Sequence, residues 1–249
     1  MIELKNKVAI VTGGAQGIGR AISEAFAEAG ASVFIADIDD EVGAATAAAI
    51  RQQGGDATYC HADVSIEAEA AAVTRQAAEK HHRLDVLCNN AAYLGRFHAL
   101  ADAPVEEWER CISVSLMGTR HFSREALRWM VPQRQGSIIN IASVQSLTGA
   151  RDSVAYSSIK TALLGFTRSV AYDYGSANIR VNAICPGAMQ TRISPKPGEE
   201  VYNRQVDKTF LGRVGQPHEI GGAAVFLASD AASYVTGAVL AVDGGWSAM

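Results

Sequence analysis

Cysteine, histidine and charge are all scarce in this chain of 249 residues, and each shortage removes a class of function. The four cysteines, Cys60, Cys88, Cys111 and Cys185, are nowhere spaced as CxxC, and each lies in an apolar stretch. They read as buried, reduced thiols rather than as a disulfide frame or zinc ligands. The six histidines include no HExxH. His81 and His82 are adjacent on a predicted helix and so point in different directions, and no metal site is expected. Charged residues make up 19% of the chain, the net charge is −4, and no basic run or face appears, which sets nucleic acid aside as a partner. No apolar run approaches the about 18 residues that a membrane span needs. Residues 1–6 carry Glu3 and Lys5 and lack the order of a signal peptide, so the expectation is a cytoplasmic protein.

What is present is apolar and regular. Hydrophobic residues form 48% of the sequence, enough for a sizeable core. Short apolar runs at 8–11, 33–36, 58–62, 86–88, 137–141, 180–184 and 239–242 read as strands. Helical patterns at 18–29, 42–53, 67–82, 105–130, 154–174 and 219–227 fall between them. Alternation of this kind predicts an α/β fold, a Rossmann-type doubly wound parallel sheet with helices on both faces. The unbroken apolar strands agree, since such strands are covered on both sides. No linker or repeat divides residues 1–249, so a single domain is expected. The most irregular stretch, 188–211, holds Pro195, Pro197 and Gly198 and is expected to be a substrate lid.

The first strand runs into Thr12-Gly13-Gly14-Ala15-Gln16-Gly17-Ile18-Gly19-Arg20, followed by a helix. Glycines let the backbone turn tightly and approach a pyrophosphate, while a helix N-terminus offers free N–H donors and a positive dipole end. Asp37 follows the second strand, 18 residues after Gly19. An acid there accepts hydrogen bonds from the adenosine ribose hydroxyls and repels a 2′-phosphate, which favours NAD over NADP.

Tyr156 and Lys160 stand at i and i+4 on one predicted helix and so share a face, with Ser143 just past the strand at 137–141. Taking a hydride from an alcohol carbon requires a base for the hydroxyl proton. A tyrosine ionises near pH ~10 in water, and a neighbouring ammonium favours its phenolate. Tyr156 is thus the expected general acid/base, Lys160 the group that lowers its pKa, and Ser143 the donor to the substrate oxygen.

Taken together, these motifs resemble the short-chain dehydrogenase/reductase family over essentially the whole chain. The glycine loop is spaced GxxxGxG, and Ser143 lies thirteen residues before a YxxxK. Asp63-Val64, Asn89-Asn90-Ala91-Ala92, Pro186-Gly187 with Thr191, and the run from Tyr234 to Gly245 match further family segments. The resemblance implies an enzyme that moves a hydride between a nicotinamide and a secondary alcohol or ketone. It implies that Gly13, Gln16, Gly17, Ile18 and Gly19 hold the cofactor's diphosphate. Asp37, Ile38, Asp63, Val64, Asn89 and Ala91 would meet its adenosine end. Pro186, Gly187, Met189 and Thr191 would lie at its nicotinamide, and Lys160 would also hold the nicotinamide ribose. NADP-using relatives usually carry a basic residue where this chain has Gln16 or Ile38, which again favours NAD. A homotetramer is implied as well.

One position departs from the family pattern. Ser115 stands where an asparagine usually helps to hold a relay water, and it is kept as a candidate catalytic residue. For the substrate the sequence offers Gln145, Tyr93 and Gln190, with Ser146 and Met189, as lining residues. Gln145 both donates and accepts, which suits a sugar or polyol. Arg96, Arg151 and Arg192 would pair with a carboxylate if they faced the cleft. A ketone or 3-oxoacyl thioester reductase is the alternative enzyme. A nucleotide-sensing protein that has lost its chemistry is the alternative of another class.

Overall fold

The computed structural model describes residues 2–192 and 194–249. Seven strands form one parallel sheet: β1 Val8–Thr12, β2 Ser32–Asp37, β3 Asp56–His61, β4 Val86–Asn89, β5 Gly136–Ile141, β6 Ile179–Pro186 and β7 Val239–Val242. Their order across the sheet is β3-β2-β1-β4-β5-β6-β7, so the winding reverses between β1 and β4. The helices are α1 Gly17–Glu28, α2 Asp40–Gln52, α3 Glu67–His81, α4 Val105–Arg110, α5 Gly118–Gln133, α6 Val154–Tyr174, α7 Glu200–Val206 and α8 Pro217–Ala228. This is the doubly wound α/β architecture that the alternating pattern predicts.

Alternation along the central strands divides the core into two layers. Ala9 and Val11 of β1 face Ile22 and Phe26 of α1, Ile50 of α2, and Ile220 and Leu227 of α8. Val8 and Ile10 face the other way, onto Val73 and Ala77 of α3 and Phe122, Ala126 and Met130 of α5. Phe26, Phe122, Ile22 and Met130 are fully buried, each contributing about 1.5–3 kcal/mol by leaving water.

Two local features differ from the sequence-based expectation. The stretch read as one helix over 105–130 is α4 and α5 joined through a π-helical segment, Cys111–Met117. The extra residue in that turn is invisible to a 3.6-residue pattern. The stretch 188–211 contains α7, which its proline and glycine content conceals; within that stretch Ile193 lies outside the described residues. No helix among the described residues is long and apolar enough to cross a membrane.

The winding reversal positions the site. Strands β1 and β4 end in register, Thr12 beside Asn89, and a crevice opens beyond their carboxyl ends, where ligands of such sheets bind.

Candidate active site

At the end of β1 the backbone turns through Gly13 (φ +60°) and Gly17 (φ +57°), a conformation that side chains disfavour. Gly19 is required for space: a Cβ there would overlap the Gly13 carbonyl oxygen and the Asn90 side-chain amide. Asn90 clamps the turn by donating from Nδ2 to the carbonyls of Thr12 (3.0 Å) and Gly13 (2.9 Å). The Thr12 hydroxyl accepts from the backbone N–H groups of Asn90 and Ala91. At the start of α1, Gln16 makes no side-chain cap and the first turn carries no acid, so neither competes for the N–H donors. A helix N-terminus left open in this way is a place for an anion.

Asp37 is buried at the end of β2 and braces this loop, with Oδ2 accepting from Ala15 N (3.0 Å) and Oδ1 from Asp39 N (3.2 Å). A carboxylate has about four lone-pair directions, so capacity remains for ribose hydroxyls. Ile38, beside it, is 62% exposed and offers an apolar face to a base. Asp63 binds the Ser65 backbone and hydroxyl through Oδ1, and Val64 is buried against α5.

Asn89 does not reach the crevice with its side chain, contrary to the sequence-based expectation. It is buried, donating from Nδ2 to Ser123 Oγ (3.0 Å) and Asn140 Oδ1 (2.9 Å). Asn140 passes the network on to Thr167. A strand alternates its side chains, so the last residue of β4 points into the helix layer while Asn90 beyond it meets the cleft.

Ser143, Tyr156 and Lys160 converge as their spacing predicts. Ser143 follows β5 and accepts Gln145 N on its Oγ (3.1 Å). Lys160 is buried, donates from Nζ to the carbonyl of Ile141 (2.6 Å), and sits 5.8 Å from the Tyr156 ring centroid. Burial dominates the electrostatics of this pair. Burial pushes the Tyr156 hydroxyl up to about 12, with a hydrogen bond from Ser143 pulling the other way. Burial also pulls Lys160 down to about 8. In both cases the charged form has lost water, and that loss is the leading cause.

Ser115 is buried in the π-helical segment. Its Oγ accepts from Tyr93 N (3.1 Å) and its carbonyl from Thr119 Oγ1 (2.8 Å). It anchors the chain that leaves β4.

A cleft of about 600 Å³ runs from the glycine turn to Ser143 and Tyr156, while Asp37, Ser115 and Lys160 do not line it. Gly187, Met189 and Thr191 line it, as the sequence predicts. Gly187 is pressed against Asp243, where a Cβ would fall 2.7 Å from the Asp243 Cα. Three expected lining residues, Ser146, Tyr93 and Gln190, stand outside. Tyr93 is held under the Arg110 guanidinium, 4.8 Å from its ring, and hydrogen-bonds Glu107 (3.4 Å). Gln190 is tied by its backbone to Gly215. Leu94, Phe97, Val201 and Trp246 form the wall instead. Alternation within loops and the reach of a C-terminal tail give no periodic signal, so these four are not legible in the sequence.

Gln145 does line the cleft, with half its capacity used: Oε1 accepts from Ser153 Oγ (2.6 Å) and Ser157 Oγ (2.8 Å). Of the three arginines considered, only Arg192 lines it.

The comparisons with known proteins agree with this geometry. A family model described as enoyl-(acyl carrier protein) reductase matches residues 13–247. The chain is 39% identical to a 3-oxoacyl-[acyl-carrier-protein] reductase of Chlamydia trachomatis, over 97% of this chain and 98% of that protein. It is 37% identical to 3beta-hydroxysteroid dehydrogenase 2 of Eggerthella lenta, over 98% of this chain and 96% of that one. Among solved structures it is similar to a short-chain type dehydrogenase/reductase from Mycobacterium ulcerans, with TM-score 0.96 and 29% identity over 99% of this chain and 91% of that one. It is also similar to a Beutenbergia cavernae protein, provisionally described as an NAD(P)-dependent gluconate 5-dehydrogenase and bearing NADP, with TM-score 0.93 and 36% identity over 100% of this chain and 99% of that one. A nicotinamide-dependent oxidoreductase acting on hydroxyl and carbonyl carbons is what these relatives and this cleft have in common, and the chain belongs to the short-chain dehydrogenase/reductase family.

Proposed function

We propose that the whole chain works as one catalytic domain that oxidises a secondary alcohol, or reduces the matching ketone, with NAD as its preferred cofactor. The observation that carries this reading is that Ser143 and Tyr156 line the same cleft as the glycine cradle, with Lys160 buried beside the Tyr156 ring. When bound, the oxidised nicotinamide supplies a hydride acceptor and a fixed positive charge.

Ser143 uses its Oγ lone pair on Gln145 N, which leaves its proton to donate to the substrate oxygen and hold that oxygen toward Tyr156. The Tyr156 phenolic oxygen takes the hydroxyl proton as the hydride leaves the carbinol carbon, and returns it in the reductive direction. With its hydroxyl held near 12, Tyr156 rests as the neutral phenol, the form that carries the proton delivered in the reductive direction. Lys160 holds the ribose beside the reacting carbon and adds positive charge near Tyr156. Ser115 positions the segment that begins at Asn90 and touches no reacting atom in this reading.

Asp37 and Ile38 select NAD: the carboxylate repels a 2′-phosphate and no basic residue stands at 16 or 38 to receive one. The segment 188–211, with Val201 and Gln205 of α7 on the cleft, acts as the lid. Tyr172 (90% exposed) and Tyr234 (102%) suit faces covered in a homotetramer, in the cytoplasm. A solution mass near that of one 26.3 kDa chain would refute the tetramer.

The deciding experiment is nicotinamide reduction by wild type and Tyr156→Phe across secondary alcohols with NAD and with NADP. Turnover by wild type that prefers NAD and vanishes in the variant supports the reading. A variant as active as wild type ends it.

A further inference from the structure

Among the described residues the charge on the cleft wall is of one sign, and one of its amides presents only hydrogens. Gln145 has both Oε1 lone pairs occupied by Ser153 and Ser157, so it presents only its Nε2 hydrogens. Asn90 spends its Nδ2 hydrogens on the Thr12 and Gly13 carbonyls and keeps Oδ1 as an acceptor. Ser194 gives its proton to the Met189 carbonyl and also meets Thr191. Arg192 is the one charged side chain on the cleft among the described residues, and no carboxylate in these residues pairs with it. No aspartate or glutamate lines the cleft.

The remaining wall is apolar, formed by Leu94, Phe97, Val144, Met189, Val201 and Trp246.

We infer that the substrate is a hydroxy- or keto-carboxylate with an apolar, ring- or chain-shaped body, whose carboxylate is received by Arg192 with Gln145 as a second donor. This rests on the oxidoreductase reading above and narrows its substrate. A guanidinium–carboxylate contact is directional, and Arg192 is exposed and open to such a partner. It orients the carbinol carbon by anchoring the molecule away from the reacting end. The same arginine chemistry suits one other anion, the cofactor's diphosphate, and the experiment separates the two.

The test is calorimetric titration of cyclohexanecarboxylate and of cyclohexanecarboxamide into wild type, Arg192→Gln and Gln145→Glu, with and without saturating NADH, together with each protein's NADH affinity. The expected result is about tenfold tighter binding of the carboxylate than of the amide to wild type, a difference of about 1.4 kcal/mol. Arg192→Gln brings that ratio close to one while its NADH affinity stays within about twofold of wild type. Gln145→Glu, similar in shape but anionic, weakens the carboxylate further than the amide. Equal binding of the two probes by wild type, or binding of neither, overturns the inference. A parallel loss of NADH affinity in Arg192→Gln also overturns it and assigns the arginine to the diphosphate. If wild type fails to bind NADH, the oxidoreductase reading falls, and the titration without NADH still reads the carboxylate preference by itself.

Discussion

The Nζ of Lys160 donates to the carbonyl oxygen of Ile141 across 2.6 Å, joining the middle of α6 to the last residue of β5. That bond holds α6 in the register that brings Tyr156, one turn earlier, beside Ser143. It also gives Lys160 a structural duty as well as a chemical one. Lys160→Met therefore leaves a buried carbonyl unpaired and costs about 1–3 kcal/mol. Thermal unfolding reads this as a lower midpoint, together with loss of turnover. An unchanged midpoint would mean that another donor reaches Ile141.

The pH behaviour of the same residue has a definite sign. Its folded pKa is about 8, below its ordinary 10.5, because burial disfavours the ammonium. Between these values the unfolded chain holds more protons than the folded one, so this group's contribution makes stability rise with pH across that window. Below about 8 the cost of the buried charge is present in full. Wild type should gain stability relative to Lys160→Met as pH is raised from 8 towards 10, and parallel curves would contradict this.

Tyr156 is expected to stay a neutral phenol to high pH, since burial holds it near 12. In a difference titration against Tyr156→Phe, phenolate absorbance from this residue should be absent below pH about 11 without cofactor. Addition of NAD should move its appearance downward, because the positive ring favours the anion. Turnover in Tyr156→Phe should fall by about 10²–10⁴-fold with NADH binding retained.

Asp37 has two tasks, bracing Ala15 and facing the ribose. Asp37→Ala should weaken NAD binding and raise the relative use of NADP by about tenfold, the scale of a lost charged hydrogen bond. Kinetics with both cofactors check it, and an unaltered ratio would remove the basis for choosing NAD.

Gly19→Ala places a methyl group against the Gly13 carbonyl and the Asn90 amide. The turn must open, at about 1–3 kcal/mol or more, and NADH affinity should fall steeply while circular dichroism still shows the fold. Tight NADH binding by this variant would show that the turn is not the diphosphate site.

The local signals proved sufficient wherever neighbours in sequence decide the outcome. Strand and helix alternation gave the doubly wound sheet, because each buried strand is a continuous apolar run. The glycine turn, the i, i+4 relation of Tyr156 and Lys160, and the placement of Ser143 after β5 are set by chain geometry within a few residues. Other features depend on partners far away in sequence. Asn89 turns inward because Ser123 and Asn140 await it there. Tyr93 is drawn aside by Glu107 and Arg110, and Gln145 loses its acceptor to two serines of the next helix segment. The π-helical turn at 111–117 adds one residue within a pattern that still reads as helix. The high pKa of Tyr156 reflects burial, which no local pattern measures. The sequence by itself thus determined the architecture and which short motifs the chain carries, since both follow from short-range periodicity and spacing. Only the tertiary structure decided which side chains face the cleft, which of their lone pairs remain free, and how much water each charge has lost. Those depend on contacts between segments tens of residues apart.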